Sequence, residues 1–378
     1  MTSLFYRLTT DGQQIPAALE NAFAGPVASA CWLIGGGPSL AELPHRLIDE
    51  SPVPKMSVNL SGTRILRPNF WTSYDPSARF HRSVYLDPGI LKFVHRRRAM
   101  DLVPETTYKV CECPGTHFFD RDGQRGFHQF LSPTHTGIVD WADSMVQAID
   151  ILYRLGFRTI YLAGCEMRVR LSDAQLQCAA AAGIDVAAGE LLRDFLGRAE
   201  QAGVDCDTFD ALPAGLHYHF DEQKNVRAAA NTDAHYFRIA QYLRLSRRSL
   251  ALAGLRLISV TPGSRLNDYF PYCTVEDACG QIVRVVGDPR TEPVRGLYQQ
   301  IDARQPSEVG PMRDLKPHNW KAPAVAAVEK PVPAAGELVV EAEAYQRAAR
   351  NGRHAVQQRL RGALEDMGDA EPALQEMG

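Results

Sequence analysis

The chain lacks most of the signatures that would classify it at a glance. No window approaches the roughly 18 apolar residues of a membrane-crossing helix. Residues 1–14 lack the basic-then-apolar layout of a secretory leader. The eight cysteines are scattered, with only Cys111 and Cys113 close together. Paired zinc-ligand spacings are therefore missing, and reduced thiols in the cytoplasm are expected. A net charge of −3 supplies no global attraction for nucleic acid. There is no internal repeat, no GxGxxG and no Walker loop.

What is present is a strand-to-helix glycine turn. The apolar run Cys31–Ile34 feeds Gly35-Gly36-Gly37 and then Pro38-Ser39-Leu40. Glycines there let the backbone approach a ligand without a Cβ in the way. A following helix aims N–H groups and the positive end of its dipole at the same point, which suits a phosphate. The competing reading is a tight turn that binds nothing.

Strand-like and helical segments alternate across the first three hundred residues. A short helix is expected over 16–23. Strands are expected at 31–34, at 55–60 ending at Asn59, at 70–74 ending at Asp75-Pro76, and at 108–111. A long helix over 138–155 is closed by Gly156, followed by a strand over 159–163 ending in Gly164. Residues 172–202 read as an alanine-rich helical insertion or lid broken near Gly183. A helix over 232–255 and a strand over 256–260 complete the series, ending at Thr261-Pro262-Gly263-Ser264. The expected fold class is α/β, a Rossmann-like doubly wound, mostly parallel sheet with that insertion and a C-terminal helical appendage. In such sheets ligands lie outside the carboxyl ends of the strands, where Asn59, Asp75, Glu166 and 261–264 would gather. The domain reading is a catalytic domain over 1–300, a proline-rich linker over 301–337, and a helix with a frayed tail over 338–378. That helix would pack on the core or serve a homo-oligomer contact.

The order of these motifs resembles the bacterial sialyltransferases of glycosyltransferase family 42, which have a GT-A-like fold. The motifs are Gly35–Leu40, Asn59, Asp75-Pro76-Ser77, Thr136-Gly137 ahead of the long helix, 156–164, the histidine-containing loop before Asn231-Thr232-Asp233, and 261–264. The series is also similar to a related Rossmann-like group that includes the archaeal 6-hydroxymethylpterin diphosphokinases. The resemblance spans roughly residues 31–272. It implies a nucleotide-sugar donor (CMP- or UDP-linked) held by Gly35, Gly36, Gly37, Ser39 and Asn59, with Thr136 and Gly137 beside them and no metal. It implies a histidine general base, His217 or His219 in His217-Tyr218-His219-Phe220, and puts Asp75 in the place of the family's Asn. Three departures stand out. Gly36 replaces an Asn, Pro133 replaces an expected Arg, and the interval from His219 to Asn231 is longer than in the family.

Chemistry fits that outline. An inverting glycosyl transfer needs a base at the acceptor hydroxyl, for which histidine suits, and stabilisation of a departing phosphate. A structural role in the core is the alternative for both histidines. Asp75 and Glu166 are candidates for ribose, sugar or acceptor hydroxyls, with loop capping as the alternative. Asp205-Cys206-Asp207 imitates a metal-binding DxD, but a solvated turn is expected. Asp140 and Asp143 are expected in the first turn of the long helix, complementing its dipole. Basic residues at Lys92, His95–Arg98, Arg168, Arg170, Arg244, Arg247 and Arg248 read as solvated faces unless they share one rim. Trp71, Phe80, Phe118 and Phe119 could then stack on an exposed base. The expected activity is glycosyl transfer to a glycan or to a hydroxymethylated pyrimidine in DNA. The alternatives are an ATP- and magnesium-dependent pterin-type diphosphokinase and a nucleotide-binding protein without turnover.

Overall fold

A computed structural model describes residues 3–24, 29–63, 65–122, 126–187, 189–212, 216–219 and 222–286. The chain divides into two units, Met1–His318 and Asn319–Gly378, and every described residue belongs to the first. The proline-rich stretch over 301–337 and the helix expected over 338–378 lie outside the described residues.

The chain opens with a hairpin, β1 (Phe5–Leu8) and β2 (Gln14–Ala17), followed by β3 (Ala30–Ile34) and α1 (His45–Glu50). Strands β4 (Lys55–Val58) and β5 (Phe70–Ser73), helix α2 (Arg82–Leu86), and strands β6 (Leu91–His95) and β7 (Thr116–Phe119) come next. Helix α3 (Ser144–Leu155) leads into β8 (Thr159–Ala163). Helices α4 (Asp173–Ala181), α5 (Leu192–Gln201) and α6 (Cys206–Asp210) come next, then a hairpin of β9 (Leu216–His219) and β10 (Glu222–Lys224). Helices α7 (Val226–Leu245) and α8 (Arg247–Leu252), strand β11 (Arg256–Ser259) and helix α9 (Val275–Val286) follow.

Among the described residues, nine strands form one sheet in the order β11-β8-β3-β4-β5-β6-β7-β1-β2. Pairing is parallel from β11 to β7 and antiparallel at β7–β1 and β1–β2. The Rossmann-like α/β architecture is therefore established. Helices cover both faces, so β3 is buried at all five positions and shows no polar alternation. Cys31 and Leu33 pack with α3, α7 and α8, whereas Trp32 and Ile34 pack with α1 and α9.

Several local expectations are corrected. Residues 16–23 are not a helix, because 14–17 are captured as an edge strand by β1, which itself pairs with β7. No strand occupies 108–111; Val110–Glu112 is a single 3-10 turn. The strands of that region are β6 and β7, hidden in the sequence by Lys92 and His95. Lys92 is fully buried in β6 and its Nζ donates to the Asp87 carbonyl at 2.6 Å. Helix α3 starts at Ser144 rather than 138, because Trp141 and Ala142 take left-handed backbone angles and Asp143 caps the helix. Asp140 thus lies before the helix, buried and paired with Arg121. Helix α7 starts at Val226, capped by Asn225, so Asn231-Thr232-Asp233 lies inside it. Trp71, Phe80, Phe118 and Phe119 are core side chains with no face left to stack on a ligand. Among the described residues, no helix is long and apolar enough to cross a membrane.

Candidate functional site

From β3 the chain steps to β4 on one side, then works out to β7 before α3 returns it to β8 on the other. Such a reversal leaves a crevice at the carboxyl ends of the central strands. A cleft opens there, lined by Gly35–Gly37 after β3, Asn59 and Ser61 after β4, Asp143–Met145 at the start of α3, Gly164–Arg168 after β8, and Tyr236 of α7.

The glycine turn is built by close approach of two backbones. A Cβ on Gly35 would lie 2.5 Å from the Gly164 carbonyl oxygen and 2.7 Å from Cys165 Sγ. The Gly35 and Gly37 N–H groups donate to the Ala163 and Gly164 carbonyls at 2.7 and 2.8 Å. A Cβ on Gly37 would fall 1.3 Å from Glu166 Oε2, so only glycine admits that carboxylate as it stands. Glu166 Oε1 accepts from the Ser39 N–H at 2.6 Å. The anion at the head of the Pro38–Ala41 turn is thus supplied by the chain itself. Glu166 is buried, and its Oε2 has no hydrogen-bond partner among the described residues.

Asn59 takes a left-handed φ of 56°, and its carbonyl accepts from Trp71 Nε1 at 2.6 Å. Its Oδ1 accepts from Ser73 Oγ at 2.6 Å and Ser144 Oγ at 3.0 Å. Each serine oxygen in turn accepts a backbone N–H, from Asp75 and Tyr74. With both serine hydroxyls donating to Oδ1, the Asn59 NH2 is the donor that the amide offers to the cleft.

Asp143 joins the cleft to α7. Its Oδ1 accepts from the Met145 and Val146 N–H groups at 2.8 and 3.0 Å, and its Oδ2 lies 3.0 Å from His235 Nε2. Arg168 enters the cleft half-buried, with no hydrogen bond or ion pair among the described residues. Burial first, then the charges of Arg265 and Arg170, pulls it below the usual arginine value. The loop carrying it is held by Asp233, buried in α7, which accepts from the Val169 and Leu192 N–H groups, both at 3.0 Å, and faces Arg265 at 3.4 Å. The Cys165 thiol is pushed up by burial, which removes it as a nucleophile.

The structure brings Gly35, Gly36, Gly37, Asn59 and Glu166 to one cleft, with Ser39 against Glu166. Thr136 is exposed, and Gly137 packs on the chain trailing β7, where its Cβ would lie 2.7 Å from the Asp120 carbonyl. The pair heads no helix; Asp143 and Ser144 take that place. Asp75 is outside the cleft lining and forms an ion pair with Arg79 at 2.6 Å. The backbone of His217 and His219 lies in β9, which approaches the Pro38–Ala41 turn with Cα atoms within 8 Å. Their side chains and that of Tyr218 lie outside the described residues. Asp205 caps α6 through the Thr208 N–H at 2.8 Å, a local structural role. Asp143, His235 and Tyr236 were not anticipated at the site. The available signal was Asp143-Ser144 before an unbroken apolar period, and His235-Tyr236 just after Asn231-Thr232-Asp233.

No family model matches the chain, and no curated protein matches it. Two solved structures share some of its layout, both of the sialyltransferase CstII from Campylobacter jejuni. The complex with the substrate analogue CMP-3FNeuAc is 13% identical, covering 65% of this chain and 86% of the other at a TM-score of 0.31. The complex with cytidine-5'-monophosphate is 12% identical, covering 66% and 87% at a TM-score of 0.32. Similarity at that level carries neither substrate nor mechanism to this chain.

Proposed function

We propose that this chain is a glycosyltransferase that binds a nucleotide-sugar donor in the cleft and passes the sugar to an acceptor hydroxyl. The observation that carries the reading is the composition of the cleft at the strand reversal: a glycine turn with the Glu166 carboxylate against it, the Asn59 amide, and an Arg168 unpaired among the described residues. Asn59 and Arg168 are suited to a phosphate and its developing charge. Glu166 Oε2, buried and lacking a donor, suits a ribose or sugar hydroxyl. The motif order from Gly35 to Ser264 supports the same class.

The acceptor is proposed to be a glycan hydroxyl. Three of the basic residues that could have tracked a polyanion are engaged elsewhere: Lys92 is in the core, Arg98 lies 3.6 Å from Asp101, and Arg96 lies 3.9 Å from Asp120. A hydroxymethylated pyrimidine in DNA is the competing acceptor in the assay. The test is a thermal-shift panel of CMP, UDP, GDP, ADP and ATP with available sugar conjugates, each with EDTA or magnesium. A ligand at a hundred times its Kd stabilises the fold by about 2.7 kcal/mol. Stabilisation by a sugar nucleotide that persists in EDTA supports the proposal. A response confined to ATP with magnesium replaces it with pyrophosphoryl transfer, and no response to any nucleotide overturns it.

A further inference from the structure

The His235–Asp143 pair has the form of an oriented base. Asp143 cannot turn freely, since one of its oxygens holds two backbone N–H groups at the head of α3. Its other oxygen faces His235 Nε2, so that ring nitrogen carries the proton, because a carboxylate only accepts. The tautomer is thereby set, with Nδ1 left as a bare lone pair. No described residue bonds Nδ1, and the ring is 33% exposed while Asp143 is 12% exposed. Asp143 and Tyr236 both line the cleft, and His235 adjoins both, with its Nε2 3.0 Å from Asp143 Oδ2 and its ring centroid 6.3 Å from that of Tyr236.

We infer that His235 takes the proton from the acceptor hydroxyl, with Asp143 as the positioning residue that holds the required tautomer. The inference rests on the glycosyl-transfer reading. In the step, Nδ1 accepts the hydroxyl proton as the acceptor oxygen bonds to the anomeric carbon. The bond from that carbon to the donor phosphate breaks, and its electron pair leaves on the nucleotide. The imidazolium formed is opposed by the Asp143 carboxylate and later returns its proton to water.

The experiment uses the full chain with CMP-N-acetylneuraminate and UDP-glucose as donors, and lactose and a hydroxymethylcytosine-containing oligonucleotide as acceptors. His235→Gln, His217→Ala and His219→Ala are compared for nucleotide-induced thermal shift, donor KM and kcat. The expected result for His235→Gln is a kcat lower by about 100-fold or more, with thermal shift and KM within twofold of the parent. Partial recovery of His235→Ala by added imidazole is expected as well. An unchanged kcat in His235→Gln, with donor binding intact, overturns the assignment and leaves the glycosyl-transfer reading standing. A kcat loss confined to the β9 variants does the same. Absence of any nucleotide shift in the parent protein overturns the glycosyl-transfer reading itself. Nitrogen NMR of His235 gives a readout independent of turnover: a proton on Nε2 is expected, and a proton on Nδ1 alone refutes the inference.

Discussion

Replacing Asp143 by asparagine separates its two tasks. Asparagine caps a helix about as well as aspartate, so the new amide oxygen can keep the Met145 and Val146 N–H groups that Oδ1 now holds. The amide nitrogen then takes the place of Oδ2 and donates toward His235 Nε2. That nitrogen becomes the acceptor, the ring proton moves to Nδ1, and the lone pair proposed to take the acceptor's proton is lost. The equivalent change in a serine protease triad costs about 10⁴-fold. His235 is a third exposed and can turn its ring at moderate cost, so a loss of about 10²–10³-fold is expected, or roughly 2.7–4 kcal/mol of barrier. Stability should change little, because the charge–dipole contribution removed is about 0.3–1 kcal/mol. The assay is initial rate at saturating donor, alongside Tm and the nucleotide-induced shift. Turnover within threefold of the parent at unchanged Tm refutes the tautomer argument.

The two glycines should respond differently to alanine. At Gly35 the new Cβ meets the Gly164 backbone, which cannot yield, so Gly35→Ala should cost about 1–3 kcal/mol in a urea titration. At Gly37 the nearest atoms are the movable end of Glu166, so Gly37→Ala should cost less while freeing the Ser39 N–H; equal costs would contradict this packing argument. Arg168→Met should leave Tm unchanged or higher, since it removes an unpaired half-buried cation, and should weaken donor binding by about tenfold or more in calorimetry. Undiminished affinity would remove Arg168 from the phosphate site. Burial holds His95 and His117 down at about 4, against an ordinary 6.5. The unfolded chain therefore takes up these protons first. The stability they confer is complete above pH 6.5 and is lost as pH falls through about 4. Urea midpoints should drop across that window, with a shallower drop in His117→Gln, and flat midpoints would show these rings to be hydrated.

The strands nearest the site were legible because both their faces are covered. Cys31–Ile34 and Thr159–Ala163 are short apolar runs bounded by glycine, the pattern a doubly covered parallel strand must have. Strand β6 escaped because its lysine looks like surface. Burial is tolerated there since Nζ reaches the Asp87 carbonyl and the ammonium is pushed down to about 8 by desolvation. The start of α3 was misplaced for a different reason. Apolar periodicity runs on through Ile138 and Val139, and only the left-handed turn at Trp141 and Ala142 breaks the helix before Asp143.

By itself the sequence determined the alternation of strands and helices, the glycine turn, and the gathering of Asn59 and Glu166 at the sheet's carboxyl edge. These follow from local preferences and from the rule that parallel strands present their ends together. Tertiary structure alone decided what those groups meet. It seated Glu166 in the anion position of its own glycine turn, left Arg168 without a partner among the described residues, and brought His235 of α7 to Asp143 at the head of α3. Hydrogen-bond partners 92 and 127 residues apart leave no mark in local composition, because their pairing depends on how the helices pack over the sheet.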